Sequence, residues 1–254
     1  MSAREASTRI EAILLDIEGT TTPIAFVVGV LFPYARTRLR RRLEALAASP
    51  VHASVLDQLR TEHAGDERAG EPVPAWVDAP PAARLESAAC YAEWLMDRDR
   101  KSTPLKILQG TVWEEGYQRG ELVGEVFADV PPALARWQAD GVQVGIFSSG
   151  SVRAQQLLFR HSSAGDLTPF FRWYFDTTTG KKADRNSYKH IASAMNLRPK
   201  SVVFLSDVVA ELDAARDAGL STRLVIRPGN APPPWPYDHP AIRTFAEIST
   251  IHAG

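Results

Sequence analysis

Short runs dominated by apolar side chains recur along the chain, and they predict a buried parallel sheet. Runs of strand length without a regular apolar–polar alternation are typical of strands that are covered on both faces. The five predicted strands are Ala12 to Asp16, Val142 to Phe147, Trp173 to Asp176, Val202 to Leu205 and Thr222 to Ile226.

From Gly141 onward these strands alternate with helical patterns. The patterns lie at Ser151 to His161, Ser187 to Met195 and Ala210 to Ala218, and Gly219 follows the last one as a helix C-cap. Such alternation predicts an α/β fold, a doubly wound parallel sheet with helices on both faces. Folds of this class bind their ligands at the carboxyl ends of the strands.

The stretch between the first two strands, residues 17 to 141, is much longer than a single crossover needs. We therefore predict a helical cap domain over residues 28–127, inserted into an α/β core made of residues 1–27 and 128–254. A break rich in Pro, Gly and Asp divides the insert at Gly65 to Pro81. The helical patterns of the insert are Leu31 to Ala48, Ser54 to His63, Ala82 to Arg100 and Leu105 to Gly120.

Composition and charge narrow the class of partner. The 254 residues are 44% hydrophobic and 23% charged, with a net charge of −1, so no overall field attracts nucleic acid or an anionic membrane. The basic run Arg36 to Arg42 lacks interleaved aromatic residues and is interpreted as a solvated helix face. We expect a small-molecule substrate, no nucleic-acid or membrane partner, and a monomer.

The same data predict a cytoplasmic location. The polar amino terminus lacks the apolar segment of a secretory signal, and no apolar run approaches the roughly 20 residues that span a bilayer. Cys90 is the single cysteine, which excludes an internal disulfide and fits a reducing compartment.

Two carboxylates follow the first predicted strand. Asp16 and Glu18 stand in residues 15–22 (LDIEGTTT), and if the strand continues, their side chains lie on the same side. A carboxylate nucleophile with a neighbouring acid/base group divides a difficult transfer into two easier steps. The alternative is an ordinary turn, because Asp, Gly and Thr favour turns. The other strand ends decide between these interpretations.

Hydroxyl groups and lysines follow the next two strands. Ser148 and Ser149 precede a helix, where they either hold phosphate oxygens or serve only as an N-cap. Lys181 and Lys182 either neutralise a phosphate together with the nucleophile or form a solvated pair. The flanking residues match neither Gly-x-Ser-x-Gly nor a P-loop. A serine hydrolase and a nucleotide-binding loop are therefore disfavoured.

An acidic residue, Asp207, ends the fourth predicted strand, and Glu211 follows in the next helix. Asp207 could complete an oxygen cage with Asp16, and Mg²⁺ favours such sites. Glu211 either supports that site indirectly or faces solvent. Nucleophile, phosphate anchor, cation and metal ligand at successive ends of one sheet together predict phosphoryl transfer.

Several longer motifs carry a family resemblance. They are residues 16–24 (DIEGTTTPI) with Phe26 and Val27, 31–36 (LFPYAR), 108–110 (LQG) with 113–117 (WEEGY), and 204–207 (FLSD) with 211–213 (ELD). These residues resemble the haloacid-dehalogenase-like superfamily and, more narrowly, its enolase-phosphatases of methionine salvage, also called acireductone synthases. The resemblance covers essentially the whole chain.

The resemblance implies roles for individual residues. Asp16 is implied as the nucleophile and a metal ligand, and Asp207 as a second metal ligand. Glu18 is implied at the acid/base position, with metal coordination through its main-chain oxygen. Ser148 and Ser149 are implied to hold the phosphate, and Lys182, rather than Lys181, to contact both the phosphate and Asp16.

The resemblance also implies the reaction and the cofactor. The expected activity is enolisation of 2,3-diketo-5-methylthiopentyl 1-phosphate followed by loss of phosphate to give the acireductone, with one Mg²⁺ per subunit. Glu18, where most phosphatases of the superfamily carry Asp, favours this activity. The alternatives are a small-metabolite phosphatase without enolase activity and a catalytically inactive interaction protein.

Overall fold

The computed structural model describes residues 9–47 and 53–249, so the polar lead-in at residues 1–8 lies outside the described part. The chain divides into two compact units. The α/β unit comprises residues up to Val27 and from Val123 onward, and the helical unit comprises Val28–Leu122.

The second boundary of the helical unit differs from the predicted one. It lies after Leu122 rather than after residue 127, because hydrogen bonds tie the intervening segment to the α/β unit. The Gly124 amide donates to the His161 carbonyl over 2.8 Å, and the Phe127 amide donates to the Thr21 carbonyl over 2.9 Å.

The α/β unit contains one six-stranded sheet in which all strand pairs are parallel. The spatial order is β3-β2-β1-β4-β5-β6. Since β1 lies between β2 and β4, it stands where the strand order reverses, which is the place where open α/β sheets bind ligands. The strands are β1 (Ala12–Leu15), β2 (Gln143–Phe147), β3 (Phe171–Phe175), β4 (Val202–Ser206), β5 (Ser221–Val225) and β6 (Ala241–Ile242).

Nine α-helices are described in residues 9–47 and 53–249. In chain order they are α1 (Ile24–Phe26), α2 (Phe32–Ala47), α3 (Ala53–Arg68), α4 (Pro81–Asp97), α5 (Thr103–Gln118), α6 (Val130–Ala139), α7 (Val152–Arg160), α8 (Arg185–Ala194) and α9 (Val209–Asp217). None of the helices described is long and apolar enough to cross a membrane.

The sheet is covered on both faces, which explains why its strands are continuous in apolar residues. Ala12 and Leu14 of β1 pack in one cluster with Tyr188 and Ile191 of α8 and with buried residues of α9. The alternate β1 side chains are also fully buried, and α6 packs against β2. The predicted doubly wound α/β class is confirmed.

Several elements differ from the sequence prediction. The short helix α1, the helix α6 and the two-residue strand β6 were not predicted, and α3 continues to Arg68 instead of ending at His63. The irregular stretch therefore begins after Arg68 rather than at Gly65. A glycine inside a helix costs only about 1 kcal/mol relative to alanine, and Val55, Leu56 and Leu59 of α3 are buried in the core of the helical unit.

The helical unit has a core of its own, built from α2 to α5. Trp94, Trp113 and Tyr117 are each less than 10% exposed. The indole N–H of Trp94 donates to the Pro72 carbonyl, and that of Trp113 to the Leu31 carbonyl, both over 2.9 Å. These aromatic residues therefore contribute to the packing of the helical unit.

The basic run on α2 is paired with acidic residues of the same unit. Arg36 contacts Asp97, and Arg38 lies 3.0 Å from Glu121. Ion pairs of this exposed kind contribute little stability each, but they balance the local charge. The run is consistent with the predicted solvated helix face.

Candidate active site

The loop after β1 is fixed by its own backbone hydrogen bonds. Asp16 directly follows β1, is 4% exposed, and its amide donates to the Leu205 carbonyl of β4 over 3.0 Å. The amides of residues 20, 21 and 22 all donate to the Ile17 carbonyl, over 3.2, 2.9 and 2.9 Å. Gly19 has a φ of +71°, a conformation that glycine adopts without strain. The Asp16 carboxylate is thus held at the carboxyl edge of the sheet.

Glu18 does not share the environment of Asp16. Because β1 ends at Leu15, the strand does not continue to Glu18, and the condition for the predicted same-side placement is not met. Glu18 is exposed whereas Asp16 is buried. After burial and the charge of Asp16, the charge of Glu18 also contributes to raising the pKa of Asp207.

Lys182 lies between two carboxylates. Its ammonium nitrogen is 2.6 Å from Asp16 Oδ1 and 2.6 Å from Glu211 Oε2. The Tyr188 hydroxyl donates to the Lys182 carbonyl over 2.7 Å and fixes the backbone there. Lys181 is exposed, whereas Lys182 is 9% exposed. The structure therefore brings Lys182 to Asp16 and leaves Lys181 at the surface.

The charge of Lys182 is stabilised by its partners. Burial lowers the pKa of Lys182, but the negative charges of Asp16 and Glu211 together outweigh that effect and leave the pKa above its ordinary value. Glu211 is only 13% exposed, and burial raises its pKa to about 7. Its contact with Lys182 supports the interpretation that it belongs to the site.

Ser206 joins the two carboxylates from the end of β4. Its hydroxyl oxygen lies 3.0 Å from Glu211 Oε2 and 3.5 Å from Asp16 Oδ2. It also accepts a hydrogen bond from the Val208 amide over 3.1 Å. The shorter distance identifies Glu211 as the acceptor of the Ser206 proton.

The Asp207 carboxylate has one oxygen held and one oxygen unpaired. Oδ2 accepts a hydrogen bond from Asn230 Nδ2 over 2.9 Å, whereas the buried Oδ1 has no hydrogen-bond partner among the described residues. Burial, and then the charge of Asp16, raises the pKa of Asp207 to about 7. A buried carboxylate oxygen without a donor is one that a bound cation would satisfy.

The described residues contain no group of three His, Cys, Asp or Glu side chains arranged to hold a metal ion. A Mg²⁺ site does not need one, because Mg²⁺ is commonly bound by one or two carboxylates together with water and substrate phosphate. Asp16 and Asp207 fit that donor set.

Ser148 and Ser149 follow the end of β2, at the same edge of the sheet where Asp16 follows β1. The register pairs Leu15 with Ile146, so the end of β2 lies beside the end of β1. Ser148 is 3% exposed, and its hydroxyl accepts from the Gly150 amide over 3.3 Å. The N-cap of α7 is Ser151, so neither Ser148 nor Ser149 has that role.

Sequence reasoning missed two polar residues that follow β5. Arg227 Nε donates to the Thr20 carbonyl over 3.0 Å, and Asn230 Nδ2 donates to the Gly19 carbonyl over 2.8 Å. Both therefore hold the loop that follows Asp16. The strand-end rule that selected the other residues would have found them if it had been applied to the fifth predicted strand.

Comparison with known proteins identifies the family. Residues 10–219 match the model of the haloacid dehalogenase-like hydrolases. The enolase-phosphatase E1 of Synechococcus elongatus is 53% identical over 222 residues, which cover 87% of this chain and 91% of that protein. The chain belongs to the enolase-phosphatase family. A further member, from Sorangium cellulosum, is 46% identical over 220 residues, covering 87% of this chain and 89% of that protein.

A solved structure shares the fold of the chain. The UTR4 protein of Saccharomyces cerevisiae is 34% identical, covers 94% of this chain and 100% of its own, and superimposes with a TM-score of 0.76. The family resemblance expected from the motifs is therefore confirmed. As an enolase-phosphatase family member, the chain is a haloacid dehalogenase-like hydrolase acting as a phosphatase.

Proposed function

We propose that this protein converts 2,3-diketo-5-methylthiopentyl 1-phosphate to the acireductone and phosphate, in methionine salvage. The observation that carries the proposal is the buried contact of 2.6 Å between Lys182 Nζ and Asp16 Oδ1. A carboxylate that is held at a strand end beside a charged lysine can attack a phosphate ester whose negative charge would otherwise repel it. The membership of the enolase-phosphatase family supports the choice of substrate.

The phosphatase half of the reaction uses the residues of the sheet edge. Asp16 attacks the phosphorus atom, an oxygen–phosphorus bond forms, and the bond to the ester oxygen breaks. Glu18 gives a proton to the leaving oxygen and then takes one from the water that hydrolyses the aspartyl-phosphate. Lys182 neutralises the phosphate and Asp16, and Ser148 and Ser149 donate hydrogen bonds to the phosphate oxygens.

The residues present fit one Mg²⁺ per subunit. The Asp16 and Asp207 carboxylates and the Glu18 main-chain oxygen would hold it, and Asp207 Oδ1 is a buried oxygen without a hydrogen-bond partner in the described part of the chain. When bound, Mg²⁺ neutralises charge on the phosphate and on the carboxylates.

We further propose that the helical unit, Val28–Leu122, is a cap domain that selects the substrate. The protein would act as a cytoplasmic monomer on a small phosphate ester, without a nucleic-acid or membrane partner. The balanced overall charge of −1 supports this proposal.

The experiment supplies the diketone phosphate with Mg²⁺ and follows acireductone absorbance together with phosphate release. We expect both products in equal amounts, and we expect Asp16→Asn to abolish both while the protein keeps its circular dichroism spectrum. Release of phosphate without the enediol would instead support the small-metabolite phosphatase. Full activity of Asp16→Asn would refute Asp16 as the nucleophile.

A further inference from the structure

The carboxylate of Asp207 is oriented by a residue far away in the chain. Asn230 lies in the loop that follows β5, and its side-chain nitrogen lies 2.9 Å from Asp207 Oδ2 and 2.8 Å from the Gly19 carbonyl oxygen. A carboxylate and a carbonyl are both acceptors, so only the NH₂ end of an amide can face them. The two hydrogens of that group serve the two acceptors, one each.

The orientation has a consequence for the two oxygens of Asp207. Oδ2 is occupied by Asn230, and the remaining Oδ1 is buried without a hydrogen-bond partner in residues 9–47 and 53–249. Rotation of the carboxylate away from this orientation would break the bond to Asn230. The amide therefore fixes the direction in which the second oxygen is available for a cation.

The contact between Asn230 and Asp207 is tightly packed against Gly19. A Cβ atom added at Gly19 would lie 2.2 Å from Asp207 Oδ2 and 2.7 Å from Asn230 Nδ2. Both distances are far below van der Waals contact, so the two side chains fit only because residue 19 is glycine. The loop after Asp16, the Asn230 amide and the Asp207 carboxylate thus form one packed arrangement.

We infer that Asn230 is a positioning residue for magnesium binding, which holds Asp207 Oδ1 toward the cation and joins it to the loop that carries Asp16. The inference rests on the proposed function only in that the cation is Mg²⁺. Hydrogen-bond partners of metal-ligating carboxylates typically change metal affinity by about 10–100-fold when they are removed.

The test is a calorimetric Mg²⁺ titration of the full-length protein, beside the Mg²⁺ dependence of diketone phosphate turnover. Asn230→Ala and Asn230→Leu both remove the donors, and leucine keeps the same number of side-chain heavy atoms and the same branch at Cγ. We expect both variants to bind Mg²⁺ about tenfold or more weakly. Turnover should recover most of its wild-type value at saturating Mg²⁺.

Asn186 at the start of α8 is exposed and provides the matched control. Asn186→Ala should leave the Mg²⁺ affinity unchanged. Thermal unfolding of each variant in EDTA shows whether the protein is folded.

If Asn230→Leu keeps wild-type Mg²⁺ affinity, Asn230 only fills space and the inference is wrong. A wild-type protein that binds no Mg²⁺ would overturn the inference together with the proposed metal site. Normal Mg²⁺ binding without diketone turnover would overturn only the proposed substrate.

Discussion

The ammonium group of Lys182 is the only cation that the structure places in contact with Asp16 among the described residues, and it is shared with Glu211. Removing its charge would leave two buried carboxylates facing each other. Uncompensated buried charges are costly, and in the proposed reaction they would also repel the incoming phosphate. Lys182 therefore contributes both to the stability of the site and to the proposed reaction.

The two neighbouring lysines provide a matched pair of variants. We expect Lys182→Met to lower turnover by about a hundredfold or more, as the loss of one transition-state donor does in other enzymes. Lys181→Met, at an exposed position, should keep wild-type turnover. The measurement is phosphate release at saturating Mg²⁺. Equal activity of the two variants would contradict the position assigned to Lys182.

At the level of elements, a residue at the start of α6 binds the loop that follows β5. The Arg227 guanidinium lies between the Phe127 and Phe245 rings, with centroids 4.4 and 4.6 Å away. Its Nη1 donates to both carboxylate oxygens of Asp129 over 2.9 Å. Asp129 stands at the N-cap of α6 but makes no capping bond with its side chain, so its carboxylate serves Arg227 instead.

Breaking this pair should destabilise the α/β unit. Arg227 is buried, and removing one member of a buried ion pair typically costs about 3–5 kcal/mol. We expect Asp129→Ala to lower the free energy of unfolding by roughly that amount, measured by urea denaturation, and Asp129→Asn to lower it less. Gln138→Ala, at an exposed position of α6, is the control and should change little. A loss for Asp129→Ala no larger than that of the control would show that the pair is not stabilising.

The strand ends show what the sequence can predict and what it cannot. Apolar runs and helix caps are local, so they located β1 to β5 and selected Asp16, the pair Lys181 and Lys182, and Asp207, whereas the family resemblance chose Lys182 over Lys181. The predicted strand ran to Asp16, whereas β1 ends at Leu15, and the apolar pattern could not show that Glu18 lies in the loop beyond it. Asn230 was missed because the strand-end rule was not applied to the fifth predicted strand, and its contact with Gly19, 211 positions away, could not be predicted from a local pattern.

Across the whole molecule, each unit is stabilised by its own apolar core. The α/β cluster includes Leu14 and Phe204, and the cluster of the helical unit includes Leu59 and Tyr91. The candidate active site is built entirely from residues of the α/β unit. Damage to the second core should therefore spare the Mg²⁺ site.

Leu59 is fully buried in the helical unit, and truncating such a leucine to alanine typically costs about 2–5 kcal/mol. We expect Leu59→Ala to increase hydrogen exchange in peptides of α3 to α5, without changing exchange in β1 and β4 or the Mg²⁺ affinity. Ile107→Ala, at a position that is 38% exposed, is the control. An equal rise in exchange throughout both units would show that they unfold together.

The order of the chain has a consequence during synthesis. The helical unit is one continuous segment, whereas the α/β unit is assembled from two, and β1 pairs with β2 and β4. Domains tend to fold from the amino terminus as they leave the ribosome, so Val28–Leu122 can fold while β1 still lacks its partners. At that stage Asp16 lacks its partner Lys182, which is synthesised 166 positions later. Asp207 likewise lacks Asn230 until the end of the chain is made. A nascent chain stalled before residue 182 would carry Asp16, the proposed nucleophile, without Lys182 and Asn230, and we expect it to hydrolyse no phosphate esters.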